Sequence, residues 1–318
     1  MARKRSGAWS AGITGAALGI AAGTALGAYV LAPEGGIEWG GAQAAEERDA
    51  AIVERDSANT RADAANSVVE DLAAQVVDGS LSDVPALLVT TPDADSGAVD
   101  AMEQLLRDAG SPEISRMGLT EKFRSAEGAD ELKDVVTTAL PAGTELDVER
   151  RDPGFQAGQA LSPVLLVGEG ATERANVADR RLLLGSLRDA GFIEYEDGTL
   201  RPTAAIVLVT GSGKGEGDDP TVGSRILADF AEALSADGTV VVAGGPEADR
   251  DGGVIEVLEN SSTAGAVRTQ AAIGDPAGRV GVVRAIVEGK GGEAPAEEAP
   301  AEEAPAEVAP AEEAPAAE

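Results

Sequence analysis

The sequence contains no His and no Cys, and only three of its 318 residues are Met. Without imidazole and thiol groups the chain cannot form a Ser-His-Asp triad, a cysteine nucleophile, a zinc site of the usual kind or a disulfide. These absences exclude the commonest catalytic and metal-binding arrangements. We therefore predict no catalytic residues, no cofactor site and no metal site, and we interpret the protein as a non-enzyme.

Positive charge is also scarce. Only 25 Lys and Arg oppose 56 Asp and Glu, which gives a formal net charge of -31. Since Lys and Arg provide most of the affinity for phosphate backbones, this balance argues against nucleic acid as a partner. Part of the acid excess lies in residues 290–318, where an EAPAE unit repeats with a Pro in every copy. We predict a disordered acidic tail there, because Pro interrupts helices and the segment cannot bury apolar surface.

The other end of the chain carries a long apolar run. A basic segment, residues 1–7, precedes residues 8–32, which contain no charged side chain. A helix of this length covers roughly 37 Å, enough to cross a hydrocarbon core of about 30 Å. We predict a single-pass transmembrane helix in the cell membrane rather than an outer-membrane segment. The basic flank predicts a cytoplasmic N-terminus and an extracytoplasmic main domain. A cleaved signal peptide is the alternative.

Glycine recurs at every fourth position of this run, at Gly15, Gly19, Gly23 and Gly27. This spacing brings the glycines to one side of a helix, where a second helix can approach closely. The pattern predicts helix packing within the membrane, either with another copy or with another protein.

Residues 42–78 mix acidic and basic side chains without a Pro or Gly, which predicts a helical stalk. Small and apolar residues at heptad spacing predict a coiled coil that is weak at its start, where Arg48 and Arg55 fall on the seam. A solvated single helix is the alternative, because alanine seams bury little area. The predicted interface, through which the protein would form a homo- or hetero-oligomer, consists of Ala51, Ala58, Ala62, Ala65, Val69, Leu72 and Val76.

Residues 84–289 alternate short apolar runs with amphipathic segments, which predicts a largely parallel α/β domain of repeated βα units. The predicted strands are 86–90, 164–168, 205–210 and 239–244. The predicted helices are 97–110, 175–191, 221–238 and a last one that begins at Pro276 and runs to Gly289.

Two stretches in this domain are candidate ligand sites. The glycine-rich residues 211–217 follow a strand and contain Lys214, but no Ser or Thr follows the lysine as a phosphate-binding loop requires. We interpret them as a flexible surface loop. Asp93 and Asp95 follow another strand, at the end where open α/β sheets bind ligands. We expect one of the two to cap the next helix.

Several phrases of the α/β region resemble the actinobacterial copper-transport (MctB) family, in particular its corynebacterial SteB-like cell-separation members. They are TTPDADSGAVDAMEQLL at 90–106, DELKDVVTTAL at 130–140, SPVLLVGEG at 162–170, TVVVAGG at 239–245 and STAGAVRTQAAIGDPAGRVGVVRAI at 262–286. The resemblance implies an envelope protein associated with copper homeostasis, which in mycobacteria is described as an outer-membrane channel. Its SteB-like branch implies a division-linked membrane protein with a SteA-like partner.

The residues themselves favour the second implication. Copper(I) selects thiolate and thioether ligands and copper(II) prefers imidazole, but beyond Met1 the chain offers only Met102 and Met117. We therefore expect a non-enzymatic, partner-binding scaffold of the cell envelope that functions in cell separation. Copper transport or copper homeostasis, as the family name implies, is the alternative.

Overall fold

The computed structural model describes residues 39–215, 219–261 and 265–290. The predicted transmembrane helix with its four glycines and the EAPAE tail lie outside these ranges, apart from the tail's first residue. In the described part of the chain, no helix has both the length and the apolar character needed to span a bilayer. The chain divides into two units, residues 1–63 and residues 64–318.

The described residues form eight α-helices and six strands. In chain order they are α1 (Trp39–Val77), β1 (Ala86–Thr90), α2 (Ser96–Asp108), β2 (Ile114–Leu119), α3 (Ala129–Thr138), α4 (Pro153–Leu165), α5 (Val177–Asp189), β3 (Ile193–Glu194), β4 (Ala205–Thr210), α6 (Thr221–Ser235), β5 (Thr239–Gly244), α7 (Val254–Glu259), β6 (Arg268–Gln270) and α8 (Pro276–Lys290). The predicted α/β class is confirmed.

The six strands form one sheet in the order β3-β2-β1-β4-β5-β6. All neighbouring pairs are parallel except β2 and β3. Strands β1, β4 and β5 are apolar on both faces because helices cover both sides of the sheet, as is usual for parallel sheets. One core cluster contains α2, α8 and the end of α1; the other contains α3 to α7. The α/β unit therefore has three layers.

The two halves of the sheet are wound in opposite senses. The chain leaves β1 through α2, on one face, to reach β2, whereas it leaves β4 through α6, on the other face, to reach β5. Because β1 and β4 are neighbours, the loops that follow them diverge. Open α/β sheets bind their ligands at such a switch point, at the carboxyl ends of the strands.

A repeated phrase ends two of the helices. Leu-Arg-Asp-Ala-Gly occurs at 106–110, at the end of α2, and at 187–191, at the end of α5. In both, the glycine takes a positive φ, 85° at Gly110 and 78° at Gly191. The amides of the glycine and of the following residue then bond back to the last helical carbonyls. The repeat therefore encodes a Schellman stop, which only glycine adopts without strain.

Two predictions about strands need correction. The predicted strand 164–168 is wrong, because α4 runs to Leu165 and only isolated bridges follow at Leu166 and Val167. This run is apolar on every side because the second half of α4 is completely buried, a pattern that a buried strand shares. Strand β2 was not predicted; its side chains alternate between buried and half-exposed.

The final turns of α1 belong to the α/β unit. Ala73 and Val77 are buried in its core, and Glu70 pairs with the buried guanidinium of Arg279 in α8. Asn66 donates a hydrogen bond of 3.2 Å to Asp275. The predicted stalk is helical as expected, but its last part is a packed element of the α/β unit.

Helices α4 and α6 pack closely against each other, and glycine permits the contact. A Cβ atom added at Gly158 would lie 2.6 Å from the Ala233 Cβ and 2.7 Å from the Phe230 carbonyl oxygen. We expect Gly158→Val to lower the free energy of unfolding by about 3 kcal/mol, because α6 must shift to admit the side chain. Urea denaturation of the purified protein measures this.

The matched control is Gly185→Ala in α5, where an added Cβ meets no atom within 4 Å. That variant should gain up to about 1 kcal/mol from helix propensity. Equal losses for the two variants would show that the α4–α6 contact is not close.

Candidate functional site

The switch point is filled by a side chain of the protein itself. Asp93 lies in the loop after β1, and its carboxylate reaches the loop that follows β4. Oδ2 accepts hydrogen bonds from the amide of Ser212 at 2.8 Å, the amide of Gly213 at 3.1 Å and the hydroxyl of Ser212 at 3.2 Å. Two consecutive main-chain amides therefore point at one oxygen.

The other oxygen of Asp93 is held in the same way. Oδ1 accepts from the Thr91 hydroxyl at 2.6 Å and from Nη1 of Arg124 at 2.8 Å. The Thr210 hydroxyl lies 2.9 Å from the Thr91 oxygen and 3.4 Å from Oδ1, and its single proton links it to one of the two across β1 and β4. Oδ2 thus has three donors and Oδ1 has two close ones.

Arg124 brings the only positive charge that this network contains. Its side chain is 4% exposed and lies in the loop after β2. Glu121 takes two of its donors, Nε at 2.9 Å and Nη2, which leaves Nη1 for Asp93. A guanidinium removed from water must be paired, so this arginine requires both carboxylates.

The network keeps Asp93 ionised. Burial raises the pKa of Asp93, but the hydrogen bond from Thr91, the charge of Arg124 and the amides of Gly213 and Ser212 together bring the pKa below its ordinary value. A carboxylate with this many donors is stabilised in its charged form. At neutral pH the switch point therefore holds a fixed internal anion.

Close packing fixes the loop that supplies the amides. A Cβ atom at Gly211 would lie 2.3 Å from the Asp93 carbonyl oxygen, and Gly213 has a φ of +79°. Residues 211–215 are buried or half-buried, so this part of the predicted surface loop packs against its neighbours. The second aspartate behaves as expected: Asp95 caps α2 by accepting a 2.7 Å hydrogen bond from the Ala98 amide.

A second charged cluster surrounds Arg150 on the helical face formed by α4 and α6. Arg150 stacks on the Phe155 ring at 3.6 Å, pairs with Glu232 and lies 3.5 Å from Asp229. Burial raises the pKa of Asp229 to about 6, and the charge of Asp152 adds to the rise while Arg150 opposes it. Asp229 is therefore partly protonated at mildly acidic pH.

A cleft of about 360 Å³ lies beside α4, the end of α6 and residues 142–145. Its charged lining consists of Glu145 and the pair between Arg174 and Asp237, which lie 2.9 Å apart. The buried Ser162 hydroxyl donates to the same Asp237 at 2.5 Å. Because Asp237 neutralises Arg174, the cleft offers no net charge from this pair.

The predicted stalk interface lies on the surface of α1. Val69 is half-buried, and the other predicted positions are exposed: Ala51, Ala58, Ala62, Ala65, Leu72 and Val76. The heptad pattern did not include Val68, which is also exposed. Gly15, Gly19, Gly23 and Gly27, the predicted membrane packing positions, lie outside the described residues.

The two described methionines do not lie together, as ligands of one copper ion would. Met102 belongs to the core on one face of the sheet and Met117 to the core on the other. Both side chains are completely or almost completely buried. Within the described ranges no group of three or more carboxylates is placed to hold a metal ion.

Fold and site together define a doubly wound α/β protein whose switch point is closed by its own side chains. The chain belongs to the MctB family: the family described as "Copper transport outer membrane protein, MctB" matches residues 10–296. The copper transporter MctB of Mycobacterium tuberculosis strain H37Rv is 29% identical over 219 residues, which cover 68% of this chain and 69% of the relative. The Mycobacterium leprae protein of that name is 30% identical over 226 residues, with the same shares. The resemblance to the MctB family seen in the sequence is confirmed.

Replacing Asp93 tests the network at the switch point. We expect Asp93→Ala to lower the free energy of unfolding by about 3 kcal/mol, because Arg124 and two amides lose their shared acceptor. Asp95→Ala, two residues away, removes a helix cap and should cost only about 1 kcal/mol. Urea denaturation at pH 7 compares the two, and a smaller loss for Asp93→Ala would contradict this description of the site.

Replacing Asp229 tests the second cluster through pH. The folded-state pKa of about 6 lies above the unfolded value of 3.8, so the folded protein binds the proton more tightly and loses stability as pH rises from about 3.8 through about 6. Asp229→Asn removes this loss. We expect the variant to exceed the parent by about 1 kcal/mol at pH 7.5, after allowance for solvent screening, and by only about a third of that at pH 4.5. A difference that does not change with pH, measured by urea denaturation, would refute the assignment.

Proposed function

We propose that this protein is a membrane-anchored envelope protein that acts as a non-enzymatic, partner-binding scaffold in cell separation. The observation that carries the proposal is an apolar side of α1 that faces solvent. Val68, Leu72 and Val76 leave 59%, 48% and 69% of their surface exposed. Contiguous apolar surface on a soluble helix is typical of a binding site.

The spacing of these residues supports a helical partner. Val68, Leu72 and Val76 follow one another at four-residue intervals, so they lie along one side of the helix. Ala73 and Val77 occupy a different side and are buried in the α/β unit. An amphipathic helix of a partner would recognise anchors at this spacing.

Two kinds of partner fit the proposal. A second copy of this chain would present the same seam from the same membrane, and a SteA-like division protein is the partner that the SteB-like resemblance implies. In both cases the predicted membrane helix would hold α1 near the cell membrane, where division proteins assemble. The other predicted seam positions Ala51, Ala58, Ala62 and Ala65 are also exposed.

The α/β unit supports a structural role. Its switch point, where a doubly wound enzyme would bind substrate, has its donors committed to Asp93. The cleft beside α4 has neither a cysteine nucleophile nor a histidine base, since the sequence contains neither residue.

Copper transport is the second candidate, because the relatives are named copper transporters. Met102 and Met117 lie in separate cores, so transport would need copper ligands from an oligomer or from another protein.

A chromosomal double variant in the native host separates the candidates. Leu72→Glu with Val76→Glu charges the exposed side of α1 and should leave the fold intact. We expect unseparated, chained cells with normal copper tolerance, because the variant protein no longer binds its partner. Microscopy measures cell separation, and growth on copper with elemental analysis measures copper handling.

The matched control is Val148→Glu with Val177→Glu, two valines outside α1 that are 73% and 56% exposed. That strain should separate normally. Copper accumulation with normal separation in the Leu72/Val76 strain would instead support the transport role. Wild-type behaviour in both assays would refute the proposed surface.

A further inference from the structure

We propose that the donors at the switch point form a site for a small oxyanion, whose occupant in the intact protein is the Asp93 carboxylate itself. The ligand class is a carboxylate or phosphate group small enough to replace the Asp93 carboxylate. The proposal concerns the α/β unit alone, and it holds whatever partner α1 binds.

The donors are arranged for two oxygens of one anion. The Ser212 amide, the Gly213 amide and the Ser212 hydroxyl converge on the first oxygen. The Thr91 hydroxyl and Nη1 of Arg124 converge on the second, and the Thr210 hydroxyl lies 3.4 Å from it. Consecutive main-chain amides beside a guanidinium recur in sites for carboxylate and phosphate groups.

These donors cannot be left without an acceptor. Arg124 is 4% exposed, and Glu121 satisfies only part of its guanidinium. Without the Asp93 carboxylate, the two amides and Nη1 would lack a partner in a site largely removed from water. This cost of desolvation provides the driving force to capture an anion from solution.

The site is open to a small ion. The Asp93 side chain keeps 26% of its surface exposed, so the carboxylate lies at an opening rather than in a closed cavity. Glycines at 211 and 213 place main chain rather than side chains beside it. An anion of a few atoms therefore has both a path and a volume once the carboxylate is removed.

Because Asp93 is part of the chain itself, its carboxylate keeps the site occupied in the intact protein. Asp93 is held beside its donors by the chain, so its effective concentration exceeds that of free anions in solution. The wild-type protein should therefore gain no stability from millimolar formate or phosphate beyond a general salt effect.

Chemical rescue tests the proposal in the full-length protein. Asp93→Ala keeps the Cβ atom, and formate supplies the missing carboxylate. At constant ionic strength, with chloride as the replaced ion, we expect formate to reduce the unfolding equilibrium constant of this variant. The reduction should reach roughly tenfold at nine times the dissociation constant. Inorganic phosphate forms a second arm: rescue by both ions shows a general oxyanion site, and rescue by formate alone shows a carboxylate site.

Asp95→Ala is the matched control, since it removes a carboxylate from the same loop. Within the described ranges, that carboxylate accepts a hydrogen bond only from the Ala98 amide. Formate should stabilise it no more than the wild-type protein. If formate stabilises Asp93→Ala no more than it stabilises Asp95→Ala, the proposal is overturned. If Asp93→Ala does not fold in chloride, the yield of refolding in formate becomes the measurement, and no recovery overturns it equally.

Discussion

The hydrogen bonds to the Asp93 carboxylate hold together the end of the sheet at which α/β proteins usually function. One side chain joins the loops after β1, β2 and β4, through Arg124 and the amides of Ser212 and Gly213. Because a buried guanidinium and buried amides require an acceptor, these three loops have a single favourable arrangement. The helices that follow β1 and β4, on opposite faces of the sheet, therefore begin from fixed points.

The same unit fixes the end of α1 by a different means. Ala73 and Val77 bury apolar surface in its core, while Glu70 provides the counter-ion of buried Arg279. The side of the helix that carries Leu72 and Val76 is left to solvent. The spacing of the side chains on α1 therefore separates a side that packs on the core from a side that is exposed to solvent.

Family membership and side-chain chemistry give different information about this protein. The family description names copper transport, but the chain has no His or Cys, and its two described methionines lie in separate cores. Copper binding depends on soft ligands that converge at bonding distance. The described residues form a switch point closed by Asp93 and a helix whose apolar side chains face solvent, and neither feature brings such ligands together.

The sequence by itself determined the α/β class, the buried strands β1, β4 and β5, a helix cap at Asp93 or Asp95 and the glycine stops of α2 and α5, because each depends on residues close together in the chain. The prediction of a strand at 164–168 was wrong because a buried helix end and a buried strand are equally apolar. Only the tertiary structure decided the role of Asp93. Its partners Arg124 and Ser212 lie 31 and 119 residues away, and the crossover connections alone bring them together.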